Sequence, residues 1–329
     1  MLVSELSEKE DPLVKLGISP ELAQAIRDAG YYTLESIAIE APHILLERVG
    51  QRRGFDLKKA QELVRLARNK LKVQIMTAKE LFEEEKQKET ISTGCKALDE
   101  LLDGGVRTGE LLEVAGPYGV GKTEFLHTLC VNAVNNNGFT CLYFDTEGAF
   151  SARRLVEIAE ARGFDSKEIL DNVLFSKVYG SGHLIFLLEN AHKVIKENDV
   201  RLILVDSLTA PFRAEYPGRE FLAERQQKIN RCLRALINYM RAYDLAAVIT
   251  NQVLSTPVAY AYEARPETVN PPTGGHVLAH APTHRLYFRS VGATRIATLI
   301  DSNYLPWGEA TFKISKAGVV DAEEEELKS

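Results

Sequence analysis

Gly116-Pro117-Tyr118-Gly119-Val120-Gly121-Lys122-Thr123, followed by Glu124, sets most of what this chain can become. The run fits G-x-x-x-x-G-K-[ST], the loop that cradles phosphates. The five residues before it, 111–115, read as a buried strand. After it, Phe125, Leu126, Leu129, Cys130 and Ala133 recur at helical spacing. A strand, a glycine turn and a helix start gather backbone N–H groups around a polyphosphate, and the helix dipole adds attraction. In such a loop Lys122 reaches the β- and γ-phosphates and Thr123 ligates Mg²⁺.

The rest of the chain is ordinary for a soluble globular protein of two domains: 329 residues, 45% apolar and 26% charged. No apolar run reaches membrane-spanning length, and residues 1–11 are acidic rather than signal-like. Cysteines at 95, 130, 141 and 232 show no metal-type spacing, and Cys130 and Cys141, in apolar patterns, suit reduced core residues of an intracellular protein. Net charge is −6, yet residues 48–72 carry Arg48, Arg52, Arg53, Lys58, Lys59, Arg65, Arg68, Lys70 and Lys72 against Asp56 and Glu62. That stretch reads either as a DNA-contacting face or as a solvated helix surface.

Residues 1–72 read as a small helical domain. A helix over 20–29 opens on Pro20 and ends at Gly30, Thr33 caps a second, Pro42 opens a third, and 57–71 forms an amphipathic fourth. Short helices with glycine turns make this domain helix-hairpin-helix-like, a module whose backbone N–H groups grip a DNA phosphate. Residues 73–90 form a linker with a charged helical stretch, 91–321 the main domain, and 322–329 an acidic tail. Strands are expected at 111–115, 141–145, 173–177, 202–206 and 246–250 with helices between them, then strand after strand at 285–289, 295–300 and 310–315. The fold class is therefore α/β, with a mostly parallel central sheet and an antiparallel C-terminal extension.

Ligands of such sheets collect beyond the carboxyl ends of the strands. Leu202-Ile203-Leu204-Val205-Asp206 ends in a carboxylate suited to the shell of a Mg²⁺ ion. Tyr143-Phe144-Asp145-Thr146-Glu147 offers a second tip, where Glu147 is placed to polarise an attacking water; either acid there could instead cap a helix. A third tip, Thr250-Asn251-Gln252, ends in amides able to hydrogen-bond a terminal phosphate. Residues 253–273 make a long loop with Tyr260 and Tyr262, and long loops in compact domains are usually functional.

Taken together with Ile91-Ser92-Thr93-Gly94, Phe212-Arg213-Ala214-Glu215-Tyr216-Pro217-Gly218-Arg219, Ala223-Glu224-Arg225 and Gly274-Gly275-His276, these motifs resemble the RecA-type strand-exchange recombinases, in particular the archaeal RadA kind. The resemblance covers nearly the whole chain. It implies a RecA-like P-loop core and a DNA-dependent ATPase using ATP and Mg²⁺, with a monovalent cation such as K⁺ as a further candidate. Partners would be single- and double-stranded DNA and other copies of the chain, in a filament or ring, in the cytoplasm with the nucleoid.

Residue by residue, the resemblance implies Glu147 as the water-activating group, Gln252 as the γ-phosphate sensor and Arg154 as the adenine-stacking arginine. His280, Asp301 and Pro306 would reach the nucleotide of a neighbouring subunit. Arg213, Arg219 and Arg225 would contact DNA. Arginines neutralise phosphates, while aromatic loop groups stack bases of a single strand.

Several positions depart from the resemblance. Pro117-Tyr118 and Glu124 replace the usual Glu-Phe and Gln without removing a phosphate ligand. In the linker, Ile75 and Ala78 stand where a Phe and an Ala normally dock one protomer on the next. The long loop from Leu254 onward also diverges from the usual sequence, so the differences fall on subunit and DNA contacts and largely spare the ATP pocket. They raise a second reading: a paralogue that loads or regulates another recombinase, with ATPase activity but little strand exchange.

Overall fold

The computed structural model describes residues 13–31, 34–38, 40–50, 54–70, 76–253 and 272–322. By its contacts the chain divides into two compact units, one of residues 1–87 with 189–197 and one of 88–188 with 198–329. Among the described residues no helix is long and apolar enough to cross a membrane.

The first unit is helical: a 3-10 turn at Val14–Leu16, then α1 (Pro20–Asp28), α2 (Leu34–Ala38), α3 (Pro42–Val49), α4 (Leu57–Lys70) and α5 (Ala78–Glu85). The Ser19 hydroxyl accepts from the Leu22 amide at 3.3 Å, and Pro20 fills the first helical position without wasting an N–H. The α1 helix stops at Asp28 with Ala29 as its cap, and Gly30 follows at a φ of 103°. Ile26, Ile37, Leu45, Leu63 and Val64 give the unit a core of its own. On the amphipathic α4 helix Ala60, Leu63, Val64 and Ala67 are buried, while Leu57 at its first position is 45% exposed. A capping box of Thr77 and Glu80 starts α5, which buries none of its residues. Thr33, Arg52, Arg53, Lys72 and Ile75 lie outside the described residues.

The second unit opens on a two-stranded antiparallel pair, β1 (Thr90–Ile91) and β2 (Val106–Arg107), around α6 (Lys96–Leu101). Its main sheet runs through β3 (Leu111–Ala115), β4 (Thr140–Asp145), β5 (Val173–Lys177), β6 (Val200–Asp206), β7 (Ala246–Asn251), β8 (His284–Val291), β9 (Thr294–Ser302), β10 (Gly308–Ser315) and β11 (Gly318–Asp321). In space the order is β11-β10-β9-β8-β3-β7-β6-β4-β5. From β8 to β5 neighbours are parallel; from β8 to β11 they are antiparallel. The α/β reading therefore holds, and β11 and the β1–β2 pair are additions to it.

Every residue of β3 and β7 is buried, as expected of central parallel strands covered on both faces. In sequence the strands alternate with α7 (Lys122–Asn137), α8 (Ala152–Arg162), α9 (Ser166–Asp171), α10 (Ser181–Asn190), α12 (Ala210–Glu215), α13 (Leu222–Tyr243) and α14 (Gly275–Ala279), while α11 (His192–Glu197) groups with the first unit. All residues of α7 from Phe125 to Val134 are buried, a wider face than the five apolar positions suggested. On that wider face His127 stacks on Tyr143, the Asn132 amide donates to the Ser92 carbonyl, and the Thr128 hydroxyl accepts from the Val319 amide of β11 at 2.9 Å and itself donates to the Glu124 carbonyl at 2.8 Å. All four cysteines are buried free thiols.

Candidate active site

The strands β3, β7, β6 and β4 are consecutive in the sheet and parallel, so their carboxyl ends share one rim. Register aligns the tips: Ala115 lies opposite Asn251, and Asp145 opposite Asp206. Each candidate group sits on or just past one of these tips.

After β3 the chain enters the glycine loop. A Cβ on Gly116 would fall 2.5 Å from the Phe288 carbonyl oxygen of β8, so no larger residue fits there. Gly121 turns at a φ of 102° into α7, where a Cβ would collide with Ile314. Between them Tyr118 is 93% exposed. The Lys122 ammonium donates to the Gly116 and Pro117 carbonyls at 2.8 and 2.9 Å. Burial pushes its pKa down, while Asp206 and Glu147 pull it back up. It is thus a half-buried cation folded onto the loop that a phosphate would fill.

Asp206 is the hub. One oxygen accepts from the Thr123 hydroxyl at 2.7 Å and from the Tyr143 phenol at 2.9 Å; the other accepts from the Thr250 hydroxyl at 2.5 Å. Burial and the Asp206 charge hold the Tyr143 phenol far above its ordinary pKa, so it acts as a neutral donor. Thr123 and Asp206 together present hard oxygen donors beside the phosphate loop. That is the kind of partial shell Mg²⁺ completes with phosphate and water oxygens. Among the described residues no group of three or more His, Cys, Asp or Glu could hold a metal by itself.

The two acids after β4 separate. Asp145 is consumed by the backbone, accepting from the amides of Glu147, Gly148, Ala149 and Phe150 at 2.8 to 3.2 Å. It shapes the turn. Glu147 is exposed and free of that duty. Its Oε1 accepts from the Ser207 hydroxyl at 2.6 Å, and both its oxygens accept from the Gln252 amide, at 3.0 and 3.1 Å. Gln252 in turn accepts from the Arg213 guanidinium at 3.2 Å.

Arg154 lies against the same loop. It donates to Glu124 at 2.9 Å and to the Ser315 and Lys316 carbonyls at 2.6 and 3.0 Å, which fixes the plane of its guanidinium. Nearby His127 stacks on Tyr143 and accepts from the Ser151 amide, a structural role; burial lowers its pKa.

The remaining candidates sit on other elements. His280, Asp301 and Pro306 are exposed, on the cap of α14, on β9 and in the loop before β10. Arg219 is exposed between α12 and α13, and Arg225 donates to the Tyr216 carbonyl at 2.9 Å. Ala78 is the exposed first residue of α5. Tyr260 and Tyr262 fall in 254–271, outside the described residues.

Sequence reasoning assigned no role to Tyr143 or Thr250, although both lay within the strand-tip motifs, nor to Ser207, the residue after Asp206. It also missed Glu113, which sits fully buried in β3 and accepts from Asn251 at 2.6 Å and from Arg285 at 2.5 Å. A carboxylate inside an apolar strand was the available signal.

Comparison with known proteins agrees with this geometry. The Rad51 family profile matches residues 84–322. The chain is 38% identical over 318 residues to the DNA repair and recombination protein RadA of Metallosphaera sedula, covering 94% of each chain. It is 39% identical over 313 residues to the protein of that name from Aeropyrum pernix, covering 93% of this chain and 95% of the relative. To that of Ignicoccus hospitalis it is 37% identical over 319 residues, covering 94% of each. Matched along most of its length by the family profile and over more than nine-tenths of it by these relatives, the chain belongs to the Rad51 family.

Proposed function

We propose that this protein is an ATP-dependent recombinase of DNA recombination and repair. It would assemble on single-stranded DNA, pair that strand with duplex and exchange strands, its grip governed by nucleotide occupancy. One observation carries the reading: Lys122, Thr123, Asp206, Glu147 and Gln252 converge on the rim formed by four adjacent parallel strands. Family membership and the names of its relatives support DNA as the partner.

The residues present fit ATP and Mg²⁺. Mg²⁺ held by Thr123 and Asp206 would supply charge neutralisation to the phosphates. Lys122 exchanges the Gly116 and Pro117 carbonyls for phosphate oxygens, and the loop amides complete the cradle. Thr123 and Asp206 supply the protein's oxygens to the metal. Glu147 holds the attacking water and receives its proton as the bond from the γ-phosphorus to the departing ADP oxygen breaks. Gln252 reads the terminal phosphate with its amide. Arg154 offers a fixed cationic plane to the adenine ring.

Arg213, Arg219 and Arg225 face DNA. His280, Asp301 and Pro306 reach the nucleotide held by a neighbouring copy, with K⁺ as the candidate ion at Asp301. Binding ATP favours the DNA-gripping assembly, and hydrolysis favours release. The setting is the cytoplasm, with the nucleoid.

Paired ATPase and strand-exchange assays test the reading. Both activities, with helical fibres on single-stranded DNA and a non-hydrolysable ATP analogue, are expected. ATPase without exchange would mark an accessory protein serving another recombinase. Absence of both would overturn the reading.

A further inference from the structure

The contacts around Glu147 close into a ring. Its carboxylate is held on one side by the Ser207 hydroxyl, which also accepts from the Ala210 amide at 3.3 Å. On the other side it is held by Gln252, whose oxygen is held by Arg213. Ala210 and Arg213 both belong to α12. One short helix therefore touches the carboxylate by two routes. That helix is anchored: Pro211 and Phe212 are buried. Arg213 itself is exposed.

The orientation of Gln252 is what matters. Its nitrogen faces a carboxylate and its oxygen faces a guanidinium, the arrangement that makes both contacts attractive. Were the amide turned over, oxygen would face carboxylate and nitrogen would face guanidinium. Arg213 thus selects the rotamer in which the Gln252 amide occupies both oxygens of Glu147. A water approaching Glu147 must compete with that amide, and a terminal phosphate must draw the amide away.

We propose that Arg213 is a nucleic-acid-released latch on hydrolysis. With no polyanion present, its guanidinium holds Gln252 against Glu147. A DNA phosphate offers the guanidinium a charged acceptor in place of a neutral amide oxygen, and charge-assisted bonds are the stronger. Arg213 leaves, Gln252 loses the contact that fixed its orientation, and Glu147 is opened to water. Arg213 is then a positioning residue, acting through Gln252. The inference rests on the reading of Glu147 as the water-activating group.

The test measures ATP turnover by the full-length protein without DNA and at saturating oligo-deoxythymidine. It compares the wild type with Arg213→Met, Arg213→Lys and Glu147→Gln. Arg213→Met keeps an apolar stem at an exposed position. It is expected to raise DNA-free kcat by about three- to tenfold, to move KM for ATP by less than about twofold, and to bring the stimulation by DNA close to one. A gain in basal rate is something a damaged fold does not produce.

Arg213→Lys, which keeps the charge but not the planar fork, should fall between wild type and Arg213→Met. A DNA-free rate in Arg213→Met equal to or below that of the wild type overturns the latch. Glu147→Gln separates the two failures. If it turns over normally, the reading of the base is wrong. If it is inactive while Arg213→Met behaves as wild type, the base stands and the latch falls.

Discussion

Arg285 and Glu113 meet as an ion pair inside the sheet, guanidinium Nε 2.5 Å from carboxylate Oε2, with no part of Glu113 exposed. Burial pushes the Glu113 carboxyl up, and Arg285 and Asn251 oppose it. The pair joins β8 to β3, and through Asn251 it fixes the tip of β7 next to Gln252. Removing one partner of a buried pair leaves an uncompensated charge. Arg285→Met is expected to destabilise the second unit by about 3–5 kcal/mol, read from the denaturant midpoint. Arg285→Met combined with Glu113→Leu should recover much of that loss.

Asp206 accepts from three hydroxyls, those of Thr123, Tyr143 and Thr250, on its two oxygens. Asp206→Asn removes the charge that would attract the metal and turns one acceptor into a donor facing hydroxyls. Turnover should fall by at least about a hundredfold, with more Mg²⁺ needed for the residual rate. A magnesium titration of ATPase rate checks this.

Arg154 is clamped by Glu124 and by the Ser315 and Lys316 carbonyls. If it stacks on adenine, Arg154→Ala should raise KM for ATP by roughly three- to thirtyfold with kcat little changed, the range of a desolvated cation–π contact. Kinetics at varied ATP concentration separate the two parameters.

The phosphate loop and its flanking strand and helix were legible in the sequence because glycine spacing and apolar period agree there. Asp206 was legible for a similar reason: four apolar residues precede it. The Glu113–Arg285 pair was not, because its members are 172 residues apart and meet only once β8 lies beside β3. The ring through Glu147, Gln252 and Arg213 was hidden for the same cause: its side chains were named one by one, but their contacts span 105 and 39 residues. Short local signals failed differently. Gly318–Asp321 is too brief to be told from a turn, yet as β11 it bonds to Thr128 of α7.

Asp321, at the end of β11, accepts from the Cys95 thiol and from the Lys96 and Ala97 amides at the start of α6. Partial burial raises its carboxyl pKa, but these hydrogen bonds outweigh it and hold the pKa below the ordinary value. A carboxyl depressed in the folded state contributes stability above its unfolded pKa, and that contribution is lost as pH falls through the folded value. Asp321→Asn should therefore be less stable than the wild type near neutrality, and the gap should close below about pH 4. Melting temperatures across pH test the sign; a gap that widens in acid would be the wrong one.

The central claim is that nucleotide at the Lys122 loop governs the hold on DNA. It is tested most directly by the affinity for a fluorescent single-stranded oligonucleotide with Mg²⁺ alone, with Mg²⁺ and ADP, and with Mg²⁺ and a non-hydrolysable ATP analogue. The account predicts the tightest binding with the ATP analogue, by about tenfold or more over ADP, and loss of that difference in Lys122→Ala. Equal affinity in all three conditions, or a difference that survives Lys122→Ala, would contradict it.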